Sequence, residues 1–164
     1  MEHRRRPATF GIASDGPDAA ALREAAEILA RAQADEAAAD RARASYRTRP
    51  MAALQPDEVI ARLLTPGEQV VAIRRSAVLD RRQAIAGAPG AASGLAGDLY
   101  LTSRQLVLVG RRSVSFDLEE IDEAMLSGDQ LLLVMRDGQG ASLGVAQPRL
   151  LRVQIAAARA LART

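Results

Sequence analysis

Short apolar runs separated by turn residues fill the stretch from Gly97 to Gly144, GDLYLTSRQLVLVGRRSVSFDLEEIDEAMLSGDQLLLVMRDGQGASLG. Alternation of apolar and polar positions over a few residues is typical of half-buried strands, and Asp137-Gly138 is a hairpin signal. The pattern predicts six strands here and a further strand before them, from Gln69 to Val78. The six are placed at about 98–102, 105–109, 113–117, 121–126, 130–136 and 141–146.

Helical spacing of apolar residues appears on both sides of these strands. A closing helix is predicted from Pro148 to Ala162, because a proline opens it and its apolar residues share one broad face. A short helix is predicted from Pro56 to Leu64, with one apolar stripe.

An alanine-rich helix is predicted from Pro17 to about Tyr46, and Arg49-Pro50 follows its end. Its large apolar residues are few: Leu22, Ile28 and Leu29. Two interpretations stay open, a solvated linker helix and an element that docks on a partner.

The order of the elements predicts an α+β class that is mainly β. We expect a seven-stranded, bent antiparallel barrel capped by the C-terminal helix, with the alanine-rich helix as an N-terminal extension. The chain divides into a disordered tail at 1–16, a helix at 17–49 and the β domain at 50–164. The loop from about Leu79 to Ala96 is long for a compact domain, so we expect it to be flexible or functional.

Composition limits the chemistry. The chain has no cysteine and one histidine, His3, so we predict neither a metal nor a cofactor. Aromatic residues make up only 2% of the chain, and with so few stacking surfaces we expect no nucleic-acid partner. The acidic run is interpreted as the solvated edge of a strand, because no nucleophile with a histidine accompanies it. The run comprises Glu119, Glu120, Asp122 and Glu123. We therefore predict that the protein is not an enzyme.

No apolar run approaches the ~20 residues that span a bilayer, and the N-terminus lacks the apolar core of a signal peptide. We expect a cytoplasmic protein. Peripheral attachment to the inner face of the membrane is the alternative location.

Three strings, LLTPGEQVV, GDLYLTSRQLVLVG and VSFDLEEIDEA, resemble the pleckstrin-homology-like (PH-like) superfamily, closest to its GRAM and bacterial PH types. The resemblance covers roughly 56–163. The matching positions are Gly97, Leu99, Leu101, Thr102, Arg104, Phe116, Leu118 and Ile121. It implies the seven-stranded barrel with a C-terminal helix, and a non-enzymatic role in binding lipid headgroups, peptides or sister subunits.

The first hairpin contains four arginines that could form an anionic-ligand site: Arg74, Arg75, Arg81 and Arg82. The simpler interpretation is a solvated surface, and neighbours in a strand point to opposite faces. We predict a binding and scaffolding module that engages a protein partner or associates with itself. The alternative is a peripheral adaptor that binds anionic lipid through the four arginines. The loop offers only Ile85 and Leu95 for insertion into a membrane, which favours the protein partner.

Overall fold

A computed structural model describes residues 17–83 and 94–162, so the predicted tail and most of the predicted long loop lie outside the described residues. The elements are α1 (Pro17–Tyr46), α2 (Glu58–Ala61), β1 (Val70–Gln83), β2 (Leu95–Thr102), β3 (Gln105–Gly110), β4 (Ser113–Asp117), β5 (Ile121–Ser127), β6 (Gln130–Met135), β7 (Gln139–Gly144) and α3 (Pro148–Ala162).

The seven strands form one antiparallel sheet in the order β4-β3-β2-β1-β7-β6-β5. With helices at both ends of the chain, this confirms the α+β class. The sheet is not closed: within the described residues, no ladder joins β4 to β5. The connection between them explains the opening. The Leu118 N–H donates to the carbonyl of Arg104 at 2.8 Å, whereas the Glu120 carbonyl accepts from the N–H of Arg136 at 2.9 Å. The chain therefore crosses from one end of the sheet order to the other.

Strand β1 holds the sheet together. Its first half pairs with β2, and from Val78 to Gln83 it pairs with β7. The strand is therefore longer than the sequence pattern predicts, because pairing with β7 replaces the missing apolar alternation at its end. Helix α2 is shorter than predicted. Asp57 caps its N-terminus, accepting from the N–H groups of Val59 and Ile60 at 3.2 and 3.1 Å.

The core lies between the sheet and α3. Seven leucines of β2, β3, β6 and β7 are buried, as are Leu118 and Ile121 in and after the β4–β5 connection. The seven are Leu99, Leu101, Leu106, Leu108, Leu131, Leu133 and Leu143. From α3, Leu151, Ile155 and Ala158 complete the same cluster. Leucine packing of this kind needs no aromatic residues to exclude water, which is consistent with the composition.

The described residues from Ala32 onward form one compact unit, so the second half of α1 belongs to the same unit as the sheet. Here α1 contributes a buried carboxylate and a buried methyl group. The Asp35 carboxylate accepts from the N–H groups of Arg149 and Leu150 at 2.8 and 3.0 Å, and Ala39 is fully buried. Asp35 thus satisfies two free N–H groups in the first turn of α3.

Candidate functional site

The four arginines singled out in the sequence do not share one environment. Arg74 is buried and Arg75 is exposed, and an irregularity of β1 follows them, where Ser76 has a φ of 57°. Arg81 and Arg82 lie in the half of β1 that pairs with β7, and their side chains are outside the description.

Arg74 has only 9% of its surface exposed. Its guanidinium donates from Nε to the carbonyl of Ala146 at 3.0 Å, from Nη1 to that of Ile73 at 3.0 Å and from Nη2 to Oε1 of Gln154 at 2.8 Å. Burial lowers the pKa of Arg74 below its usual value. The side chain joins β1 to α3, and its hydrogen bonds are made inside the protein.

Arg75 is surrounded by acceptors, a group that we name the paired cluster: Arg75, Asp57, Asp98 and Tyr100. Arg75 pairs with Asp98 and lies 3.5 Å from Asp57. It donates to the Tyr100 hydroxyl at 3.3 Å, and its guanidinium carbon lies 5.9 Å from the centre of that ring. The Tyr100 hydroxyl in turn donates to Asp57 at 2.7 Å. The positive charge of Arg75 is therefore already matched by two carboxylates.

The pKa values of the paired cluster move in the directions that these bonds require. The hydrogen bond from Tyr100, followed by that from the Ile60 N–H, lowers the pKa of Asp57. Burial raises the pKa of Tyr100, and the bond to Asp57 raises it further. The hydrogen bond to Asp98 raises the pKa of Arg75. The cluster is a closed network that holds the start of α2 against β1 and β2.

A buried carboxylate, that of Glu68, ties the residues before β1 to the β2–β3 turn. It accepts from the hydroxyl of Thr102, from Nε2 of Gln105 at 3.0 Å and from both the N–H and the hydroxyl of Thr65 at 2.9 Å. Burial favours a higher pKa for Glu68, but the hydrogen bonds outweigh it and the pKa lies below its usual value. Thr102 belongs to the family-like motif, and its hydroxyl also accepts from two N–H groups of the turn. Glu68 and Thr102 therefore both stabilise the fold.

The segment from Ser113 to Gly144, which we name the acidic segment, differs from the paired cluster in its balance of charges. It contains seven carboxylates and one arginine, Arg136. Glu119, Glu120 and Glu123 are exposed near the start of the edge strand β5, as the sequence predicts for a solvated strand edge. Among the described residues, the ion pairs involve other parts of the chain. The guanidinium of Arg159 in α3 also reaches the segment, donating to the carbonyl of Asp122 at 3.1 Å. Seven carboxylates beside these two arginines leave the segment with a net negative charge.

The first half of α1 exposes large aliphatic side chains. Leu22 is 72% exposed, Ile28 55% and Leu29 59%. Leu22 and Leu29 are seven residues apart, so they lie on one face of the helix, with Ala25 and Ala26 between them. We name Leu22, Ile28 and Leu29 the aliphatic stripe.

The described part of the chain shows neither a metal site nor a membrane-spanning helix. Within it, no group of three or more histidine, cysteine or carboxylate side chains is placed to hold a metal ion. No helix in residues 17–83 and 94–162 combines the length and the apolar character needed to cross a membrane.

Comparison with known proteins gives little more than a distant likeness. No protein-family model and no curated protein matches the chain. Among solved structures, one match is the C-terminal domain of an unknown protein from Leishmania infantum. It has 13% sequence identity and a TM-score of 0.44, and the match covers 57% of this chain and 86% of that chain.

Sequence reasoning missed the acidic partners of Arg75. Asp57 lies in the predicted short helix, where nothing in the sequence links it to Arg75, and Asp98 lies 23 positions away from Arg75. The signal that could have found Asp98 is its place beside Gly97 in the strand expected to pair with the first one. An acidic residue there faces the arginines once the hairpin closes.

Proposed function

We propose that this chain is a non-enzymatic PH-like binding and scaffolding module that engages a protein partner, either another protein or a second copy of itself. The observation that carries the proposal is the aliphatic stripe. The PH-like assignment is supported by the resemblance of the sequence motifs, together with a seven-stranded antiparallel sheet followed by a C-terminal helix.

The stripe favours a protein surface on energetic grounds. Fully burying a leucine or isoleucine side chain contributes roughly 1.5–3 kcal/mol. Leu22, Ile28 and Leu29 leave most of that contribution unused while they are exposed. The alanines between the two leucines are small, so the backbone of a second helix can approach closely. A helix lying along this face would recover the apolar burial.

The alternative, an adaptor for anionic lipid, gains no support from the two arginines whose side chains are described. Arg74 is buried and bonded to α3, and Arg75 is paired with Asp57 and Asp98. A lipid headgroup would have to displace those carboxylates to reach Arg75, and water would have to enter the core to reach Arg74.

The proposal is tested on the full chain by size-exclusion chromatography with light scattering over a range of protein concentrations. We expect a concentration-dependent mass above that of the monomer, which Leu22→Gln/Leu29→Gln abolishes. The matched control, Ala20→Gln/Ala34→Gln, changes exposed positions on the opposite side of the same helix and leaves the mass unchanged. Equal masses for the two double variants would reject the stripe as the interface.

Sedimentation with vesicles distinguishes the lipid alternative. We expect no more binding to phosphatidylglycerol-containing vesicles than to phosphatidylcholine vesicles at physiological salt. Binding confined to the anionic vesicles, and lost in Arg81→Ala/Arg82→Ala, would replace the protein partner with a membrane.

A further inference from the structure

We propose that a cleft at the open side of the sheet binds an arginine side chain from an extended segment of a partner protein. The cleft has a volume of about 170 Å³ and lies where β4 separates from the end of β6 and the start of β7. Phe116 and Met135 supply apolar lining, and Glu120 and Asp137 supply carboxylates. This inference uses none of the residues of the aliphatic stripe and goes beyond the proposed function.

The size of the cleft limits what it can take. Sites for small molecules and cofactors commonly measure about 300–1,000 Å³. At about 170 Å³ the cleft has room for one long side chain but not for a whole metabolite. Since β4 is the last strand of the sheet among the described residues, an extended segment can lie beside it and insert a side chain.

The lining suits a long, apolar stem with a charged head. Phe116 and Met135 are each 8% exposed, and both belong to the core cluster, so their positions are fixed by packing. Arginine buries its methylene groups against such a surface, and its planar guanidinium presents paired N–H donors to a carboxylate.

Hydrogen bonds fix the carboxylate of Asp137 and the backbone of Glu120. The Asp137 Oδ1 accepts from the N–H of Gln139 at 2.9 Å across the β6–β7 turn, in which Gly138 has a φ of +83°. The Glu120 N–H donates to the carbonyl of Asp117 at 3.0 Å, and its own carbonyl accepts from Arg136. The side chain of Glu120 has no hydrogen bond or ion pair with another described residue. Guanidinium–carboxylate bonds are among the strongest that a surface can offer.

The surrounding charge selects a cation. The acidic segment has seven carboxylates and one arginine of its own, and Arg159 of α3 reaches the carbonyl of Asp122, so its net charge is negative and favours a cationic partner. A metal ion is a poorer occupant, because the described residues bring no third ligand to the two carboxylates. Charge and lining together therefore point to arginine.

The test is a titration of the full-length, ¹⁵N-labelled protein with a capped Ser-Arg-Ser-Arg-Ser peptide at physiological salt, followed by amide chemical shifts. We expect saturable shifts at Phe116, Asp137 and Gly140. The peptide with citrulline in place of arginine should produce none, because citrulline keeps the shape and loses the charge. Glu120→Gln and Asp137→Asn should each weaken binding by about tenfold. The amide introduced by Asp137→Asn retains an oxygen that can accept from Gln139, so the turn is preserved.

Matched control variants distinguish binding in the cleft from non-specific attraction by the negative charge of the acidic segment. Glu119→Gln and Asp129→Asn remove the same charge from the acidic segment at residues that do not line the cleft, and should leave affinity within about twofold. Leu22→Gln/Leu29→Gln should bind the peptide like the unaltered chain, so the two proposals fail separately. Three results would each overturn the site: no saturable shift, equal losses in control and site variants, or equal affinity for a lysine peptide.

Discussion

The paired cluster and the acidic segment treat charge in opposite ways. In the paired cluster, Arg75 lies among two carboxylates and a tyrosine hydroxyl, and every charge has a partner. In the acidic segment, seven carboxylates share one arginine. Arg74 and Arg75, two of the four arginines that suggested a ligand site, are thus engaged in the fold, while the acids that suggested only a solvated edge are available. The comparison teaches that unmatched charge, rather than charge as such, indicates a binding surface.

The charged side chains that have partners in the fold also differ in how deeply they are buried. Arg74 and Glu68 are buried, whereas Arg75 is exposed. Removing a buried hydrogen-bonding group leaves its former partners without water to replace it, so the cost rises with burial. The loss of stability should therefore be larger at Arg74 and Glu68 than in the paired cluster, and vanish in the acidic segment.

The largest effect is expected for Arg74→Ala. The substitution leaves the carbonyl of Ala146 and Oε1 of Gln154 unpaired and opens a cavity, so the free energy of unfolding should fall by about 3 kcal/mol. Arg74→Met retains the apolar stem and avoids burying a charge, and should lose only about 1 kcal/mol. Urea denaturation followed by circular dichroism measures both. Arg112→Ala, at an exposed turn, is the control and should stay within about 0.5 kcal/mol. Equal losses at Arg74 and Arg112 would contradict the buried role.

An intermediate, pH-dependent effect is expected for Glu68→Gln. At neutral pH the variant should lose about 1–2 kcal/mol, because an amide cannot accept all the bonds that the carboxylate accepts. The folded pKa of Glu68 lies below the unfolded value of about 4.3, so its contribution is complete above that pH. It is lost as the pH falls through the folded pKa, and the gap between the two proteins should close there.

Urea midpoints across the acidic range measure this gap. Thr102→Ser, which keeps a hydroxyl donor to Glu68, should retain the pH dependence of the unaltered chain. A gap between Glu68→Gln and the unaltered chain that stays constant with pH would show that the carboxylate charge is not what the network recognises.

The features that the sequence predicted well, helix starts and a hairpin turn, are marked by residues at those positions. Pro17 and Pro148 mark the starts of α1 and α3 at the observed positions, and Asp137-Gly138 marks the β6–β7 turn. In contrast, the end of β1 reads Asp-Arg-Arg-Gln, with no apolar alternation, and is a strand only because β7 lies beside it. A partner that is distant in sequence leaves no trace in a local pattern.

Contacts that build the sites also join residues distant in sequence, so a local pattern does not predict them. Arg74 and Gln154 are 80 positions apart, and no local pattern pairs them. Asp35 was hidden in an alanine-rich helix whose thin apolar face gave no sign of docking. Its role appears only when the free N–H groups of α3 are brought to it. Glu120 was visible as part of an acidic run, but the cleft beside it depends on where β4 separates from β6 and β7.

The smallest effect, and the most direct test of the opening comparison, is that of one neutralised carboxylate in each region. Asp98→Asn removes the charge that pairs with Arg75 and should lower the urea midpoint. Glu123→Gln removes one of several like charges, so its midpoint should stay equal or rise slightly, with a change in the free energy of unfolding of no more than about 0.5 kcal/mol. Repeating both at about 1 M salt should bring the two variants together, because exposed charges are screened there. A loss of the same size in both variants at low salt would mean that the acidic segment has partners after all, and the distinction between engaged and available charge would fail.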